Sequence, residues 1–133
     1  MAQYLVVAHR TAKSPELAAK LKGDHTARFV LLVPAVPPPG WVYEENGVRK
    51  RAEEEAQAAK AALEAQGIPI AQAKAGDISP LLALEEELLT HPGAYQAIVL
   101  ATLPPGISRW LRLDVHTQAE RFGLPVIHVI AHP

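Results

Sequence analysis

"AIVLATLPPGISRWLR", residues 97–112, decides how the rest of the chain is read. It opens on "AIVLA" (Ala97–Ala101), an apolar run without polar alternation, which is the pattern of a strand buried on both faces. Such strands belong to parallel sheets covered by helices on two sides. Two prolines, a glycine, a serine, two arginines and a tryptophan then follow within a dozen positions. A connection that only turned the chain would not need that chemistry.

Similar runs flank this one. "YLVVA" (Tyr4–Ala8), "RFVLLV" (Arg28–Val33), "IPIAQAKA" (Ile68–Ala75) and "LPVIHVI" (Leu124–Ile130) read as four further strands, and the early proline of the third suggests a sheet edge. Helical segments lie between them. "SPELAAKLKG" starts with Ser14 as N-cap and Pro15 at the first helical position, and Gly23 stops it. "VRKRAEEEAQAAKAALEAQG" (Val48–Gly67) is built almost wholly of strong helix formers. Its Glu53–Gln57 and Lys60–Glu64 spacings suit a solvated face with internal pairs. "DISPLLALEEELL" repeats the Ser–Pro start at Ser79–Pro80, and "DVHTQAERFG" (Asp114–Gly123) has Asp114 as N-cap and Gly123 as stop. The proline-rich "PAVPPPGWVYEENG", residues 34–47, is expected to be loop throughout, with Trp41 and Tyr43 above the end of the sheet.

Strand–helix alternation and right-handed crossovers predict a doubly wound α/β fold, a five-stranded parallel sheet with helices on both faces; the flavodoxin-like and nucleotide-binding orders both place the first strand centrally, and 3-2-1-4-5 is the order expected here. At 133 residues, with no internal repeat or linker, residues 1–133 form one expected domain. Thirteen basic and fourteen acidic residues leave a net charge of -1, so the overall field favours neither nucleic acid nor an anionic membrane. The chain has no cysteine, hence no disulfide or thiolate chemistry. No leader pattern opens "MAQYLVVAHR", and no apolar stretch reaches the roughly 20 residues that span a bilayer. A cytoplasmic location is expected.

In a sheet of this order, ligands bind beyond the carboxyl ends of the strands, where the order reverses between the first and fourth. "HRT" (His9–Thr11) and "TLPPGISRWLR" (Thr102–Arg112) empty into that crevice, with Val33 and Pro34 beside them. Gly106 allows close backbone approach and Ser108 offers a hydroxyl. Arg10, Arg109 and Arg112 offer planar forks that match phosphate or carboxylate. The candidate ligand-binding residues are therefore His9, Arg10, Thr11, Val33, Pro34, Thr102, Gly106, Ser108, Arg109 and Arg112. A structural role for the arginines, with stems over apolar patches and Trp110 as a packing anchor, is the plainer alternative.

The "YLVVA" opening, "AGDISPLLALEEEL" (Ala75–Leu88), "YQAIVLAT" (Tyr95–Thr102) and "RFGLPVIHVI" (Arg121–Ile130) together resemble the universal stress protein family. The resemblance covers nearly the whole layout. It implies this same fold, binding of ATP or AMP, a regulatory or stress-related role without turnover, and a homodimer through the final strand. The chain departs from the family's Gly-x2-Gly-x9-Gly-Ser/Thr signature. Arg109 stands where the second glycine would fall, Arg112–Leu113 where the last pair would fall, and His9 replaces the acidic residue near adenine. The arginine side chains either replace the glycine amides in holding an anion or fill a pocket that has lost its ligand. In the second case the protein is a dimeric interaction module.

Six histidines, His9, His25, His91, His116, His128 and His132, show no paired ligand spacing, so no metal site is expected. Ser108 with a histidine and Asp114 would make a nucleophilic triad, but the Gly-x-Ser-x-Gly elbow is missing. No catalytic residue is assigned, and an enzyme acting on a phosphorylated substrate is the third reading.

Overall fold

In the computed structural model, residues 2–24, 26–35, 45–105, 108, 110 and 114–132 are described. Five strands run in parallel: β1 (Ala2–Val7), β2 (Ala27–Pro34), β3 (Ile70–Gly76), β4 (Ala97–Thr102) and β5 (Val126–Ile130). Their order across the sheet is β3-β2-β1-β4-β5, the expected order. The registers set Leu5 beside Val30 and Ile98, and Val7 beside Leu32 and Leu100. Among the described residues, the helices are α1 (Pro15–Lys22), α2 (Glu45–Glu64), α3 (Pro80–Thr90) and α4 (Val115–Ala119). No helix among the described residues is long and apolar enough to cross a membrane.

Every residue of β4 is buried, and in β2 only Arg28 is exposed, so both faces of the sheet are covered. On one face, α1 and α2 pack Leu17, Leu21, Val48, Ala56 and Leu63 against Val6, Phe29, Leu31 and Val99. On the other, α3 and α4 pack Leu84, Val115 and Ala119 against Leu5, Leu32, Ile98 and Leu100. Each such fully buried aliphatic or aromatic side chain contributes roughly 1.5–3 kcal/mol relative to exposure.

Local signals set the helix starts. Ser14 Oγ accepts from Leu17 N at 3.2 Å and Ser79 Oγ from Leu82 N at 3.4 Å, each followed by proline. Gly76, at the end of β3, is required by close approach. A Cβ there would lie 2.8 Å from Ala83 Cβ and 2.9 Å from Leu32 Cδ1.

Three expectations are corrected. α2 begins at Glu45, inside the stretch read as loop, while residues 36–44 lie outside the described residues. The helix expected over Asp114–Gly123 is a single short α4 followed by a 3-10 turn at Glu120–Phe122, ended by Gly123 at φ 83°. Asp114 makes no side-chain cap bond and sits in the left-handed region at φ 57°.

The solvated face expected for α2 is also altered. Lys60 and Glu64 do pair, at 3.5 Å. Glu53 and Gln57 instead reach the outer edge of β3, where Glu53 accepts from Ala75 N at 2.8 Å and Gln57 donates to Ala73 O at 2.9 Å. Beneath α3, the buried Glu87 carboxylate accepts two 2.9 Å bonds from Lys74 and a 2.5 Å bond from the Tyr95 hydroxyl. Burial first, and then that bond, raise the Tyr95 phenol well above the usual tyrosine range.

Candidate functional site

The sheet order reverses between β1 and β4, and their carboxyl ends face the same crevice. His9, Arg10 and Thr11 leave β1 there; Thr102 ends β4 there. The Thr11 hydroxyl donates to Ala101 O at 3.1 Å, tying the first βα connection to the last turn of β4. Thr11 and Thr102 are buried at 2% exposure and Val33 at 0%, so they form the wall behind the crevice rather than its rim. Pro34 is buried with them, and Arg10 is exposed.

Ser108 is buried, and its amide donates to Pro104 O at 3.1 Å, a turn within the segment after β4. Trp110 packs against the core under α3 and α4, which is the anchoring role. Gly106, Arg109 and Arg112 lie outside the described residues.

The fold brings α2 to the first exit as well. Glu55 Oε2 lies 3.8 Å from His9 Nε2, and Glu55 Oε1 is 3.0 Å from Arg51 Nε. Burial lowers the His9 pKa, and the Glu55 carboxylate opposes part of that shift. Sequence reasoning missed Arg51 and Glu55 here because their i,i+4 spacing reads as an ordinary surface pair. Only the packing of α2 over β2 and β3 brings them to His9.

A second cluster closes the other side of the crevice. Thr102 Oγ1 is 2.7 Å from His128 Nε2, and the His128 ring stacks on His116 with centroids 4.9 Å apart and planes at 19°. His116 Nε2 lies 3.6 Å from Asp114 Oδ1, while its enclosed Nδ1 has no hydrogen-bond partner among the described residues. Nothing in the spacing of residues 102, 114, 116 and 128 announces this meeting. Face-to-face rings aim their lone pairs in parallel planes, so the pair does not converge on one ion. Among the described residues no group of three His, Asp or Glu is arranged to hold a metal.

A cavity of about 320 Å³ lies elsewhere, under the end of α1, lined by Tyr4, Lys20, Asp24, Phe29, Val99 and Ile127. It is at the amino ends of β1, β2 and β5. Two of its polar groups are already engaged. The Tyr4 hydroxyl is bonded to Asp24, and Asp24 Oδ1 accepts from the Thr26 amide at 3.1 Å and hydroxyl at 2.9 Å.

No family model matches the chain, and comparison with curated proteins gives no match.

Proposed function

We propose that the protein binds a small anionic metabolite, a nucleotide such as ATP or AMP or another phosphorylated compound, between the carboxyl ends of β1 and β4, without turning it over. The observation that carries this reading is the meeting of two chain exits where the sheet order reverses. His9 and the exposed Arg10 leave β1, Thr102 leaves β4, and the Thr11–Ala101 bond holds the two exits together. The sequence that follows β4 carries Gly106, Ser108, Arg109 and Arg112. A regulatory, stress-linked role in the cytoplasm, of universal stress protein type, is part of the same proposal.

Each charge-assisted bond from a guanidinium contributes about 1.5–3 kcal/mol, and ~1.4 kcal/mol is one decade in affinity. Arg109→Ala and Arg112→Ala should each weaken AMP or ATP binding about tenfold or more by calorimetry, with little change in melting temperature. Mass spectrometry of small molecules released on denaturation tests the ligand class directly. If neither nucleotides nor sugar phosphates bind the wild type, the segment is structural.

A homodimer through β5 is the second part of the proposal, favoured by the contrast between the two sheet edges. Glu53 and Gln57 cap the β3 edge. On β5, Pro125 O and Ala131 N bond to β4, so strand alternation turns the backbone of Val126, His128 and Ile130 outward. Ile130 is 48% exposed on that edge. An apolar, bare edge strand invites pairing with its equivalent across a two-fold axis. Light scattering should give a dimer that Ile130→Lys reduces to monomer. A wild-type monomer at high concentration would exclude it.

A further inference from the structure

The segment 103–113, which carries the candidate anion-binding residues, follows Thr102 and precedes Asp114 in the chain. These two anchors are joined by one uninterrupted chain of side chains. Thr102 meets His128 at 2.7 Å, His128 stacks on His116 at 4.9 Å, and His116 faces Asp114 at 3.6 Å. The members come from the end of β4, the middle of β5, α4 and the residue preceding α4. α4 is only five residues long and begins without a side-chain cap, with Val115 and Ala119 as its core anchors.

We propose that the His116–His128 stack is a proton-operated clasp between β4, β5 and α4, stable with at most one proton and broken by a second. This rests on the proposed function only in what it regulates, because the clasp sets the spacing of the two anchors of the anion-binding segment.

The charges around the pair give the sign. From the start of α4 the Asp114 carboxylate faces His116; from β5 His128 faces it; β4 contributes only the uncharged Thr102 hydroxyl. A single proton on the pair is tolerated beside the Asp114 carboxylate. The second would set two imidazolium rings face to face in a partly desolvated site, where like charges repel strongly. In agreement with this repulsion, burial first and the neighbouring His116 second lower the His128 pKa. Rings stacked this closely couple the charge on one to the charge on the other.

The test is an NMR titration of both rings in the ligand-free protein. Two separated steps are expected, with the Thr102 and Val115 amide shifts following the lower one. His116→Gln should raise the His128 midpoint. Should that variant fail to fold, His128→Phe offers His116 an uncharged ring to stack on while giving up the Thr102 bond. It should abolish the acid step at Thr102 and Val115. A His128 midpoint unmoved by His116→Gln, or an acid step that survives His128→Phe, overturns the clasp. AMP binding measured across the same pH range separates the two readings. Affinity that falls through the lower step in wild type but not in His128→Phe supports regulation, and affinity indifferent to that step overturns it. A failure of AMP to bind at any pH removes the anion site and leaves the ring titration to decide the clasp.

Discussion

Glu53 Oε1 accepts a 2.8 Å hydrogen bond from the amide of Ala75, so a helix side chain occupies the ladder position that a neighbouring strand would otherwise take. Four residues on, one helical turn away, Gln57 does the same for the Ala73 carbonyl at 2.9 Å. The edge strand β3 is thereby closed to addition of another strand.

Glu53→Ala should destabilise the fold by about 1.5–3 kcal/mol, because a buried amide loses a charged acceptor. Combined with Gln57→Ala, it should also open the β3 edge. Urea unfolding measures the first effect, and turbidity on warming the second. A double variant as stable and as soluble as wild type would show the caps to be idle.

Gly76→Ala should cost about 1–3 kcal/mol, since the added methyl meets Ala83 and Leu32 inside the β3–α3 junction. The same change at Gly93, where a Cβ meets nothing within 4 Å but φ is +77°, tests backbone strain alone. Comparing the two denaturation midpoints separates crowding from conformation.

Tyr95→Phe should lower stability by about 1.5–3 kcal/mol, because the Glu87 carboxylate loses a buried hydroxyl donor. The phenol is held above its ordinary pKa, so the fold favours its protonated form. That contribution is complete below the unfolded tyrosine value, about pH 10, and is lost as the pH climbs through the folded value. Melting curves between neutral and strongly alkaline pH should fall less steeply for Tyr95→Phe than for wild type.

His9 has the opposite sign. Burial depresses its pKa, so its contribution is present above the ordinary histidine value and fades as the pH falls through the lowered midpoint. Glu55 favours the imidazolium, and Glu55→Gln should therefore move the His9 midpoint lower still. An NMR titration of His9 that leaves the midpoint in place would mean that the 3.8 Å contact does not persist in solution.

Much of the architecture is written locally. The apolar runs of β2 and β4, the Ser14–Pro15 and Ser79–Pro80 starts, and the proline that marks β3 as an edge each depend on a few adjacent residues. Hydrogen bonding and burial period act over that same short range. Right-handed crossovers narrowed the strand order to two common doubly wound arrangements, of which the structure has 3-2-1-4-5. Glu45 entered α2 against a loop reading, since the proline density before it masked a helix start.

By itself, then, the sequence determined most of the elements and their parallel arrangement. Only the tertiary structure decided which side chains meet. Glu55 at His9, Glu53 and Gln57 on β3, Lys74 and Tyr95 on Glu87, and His128 against His116 are pairs brought together from different elements. The physical reason is that such meetings depend on helix rotation and strand register, which the whole core sets at once. A residue's neighbours in the chain say little about the faces it will find across the sheet.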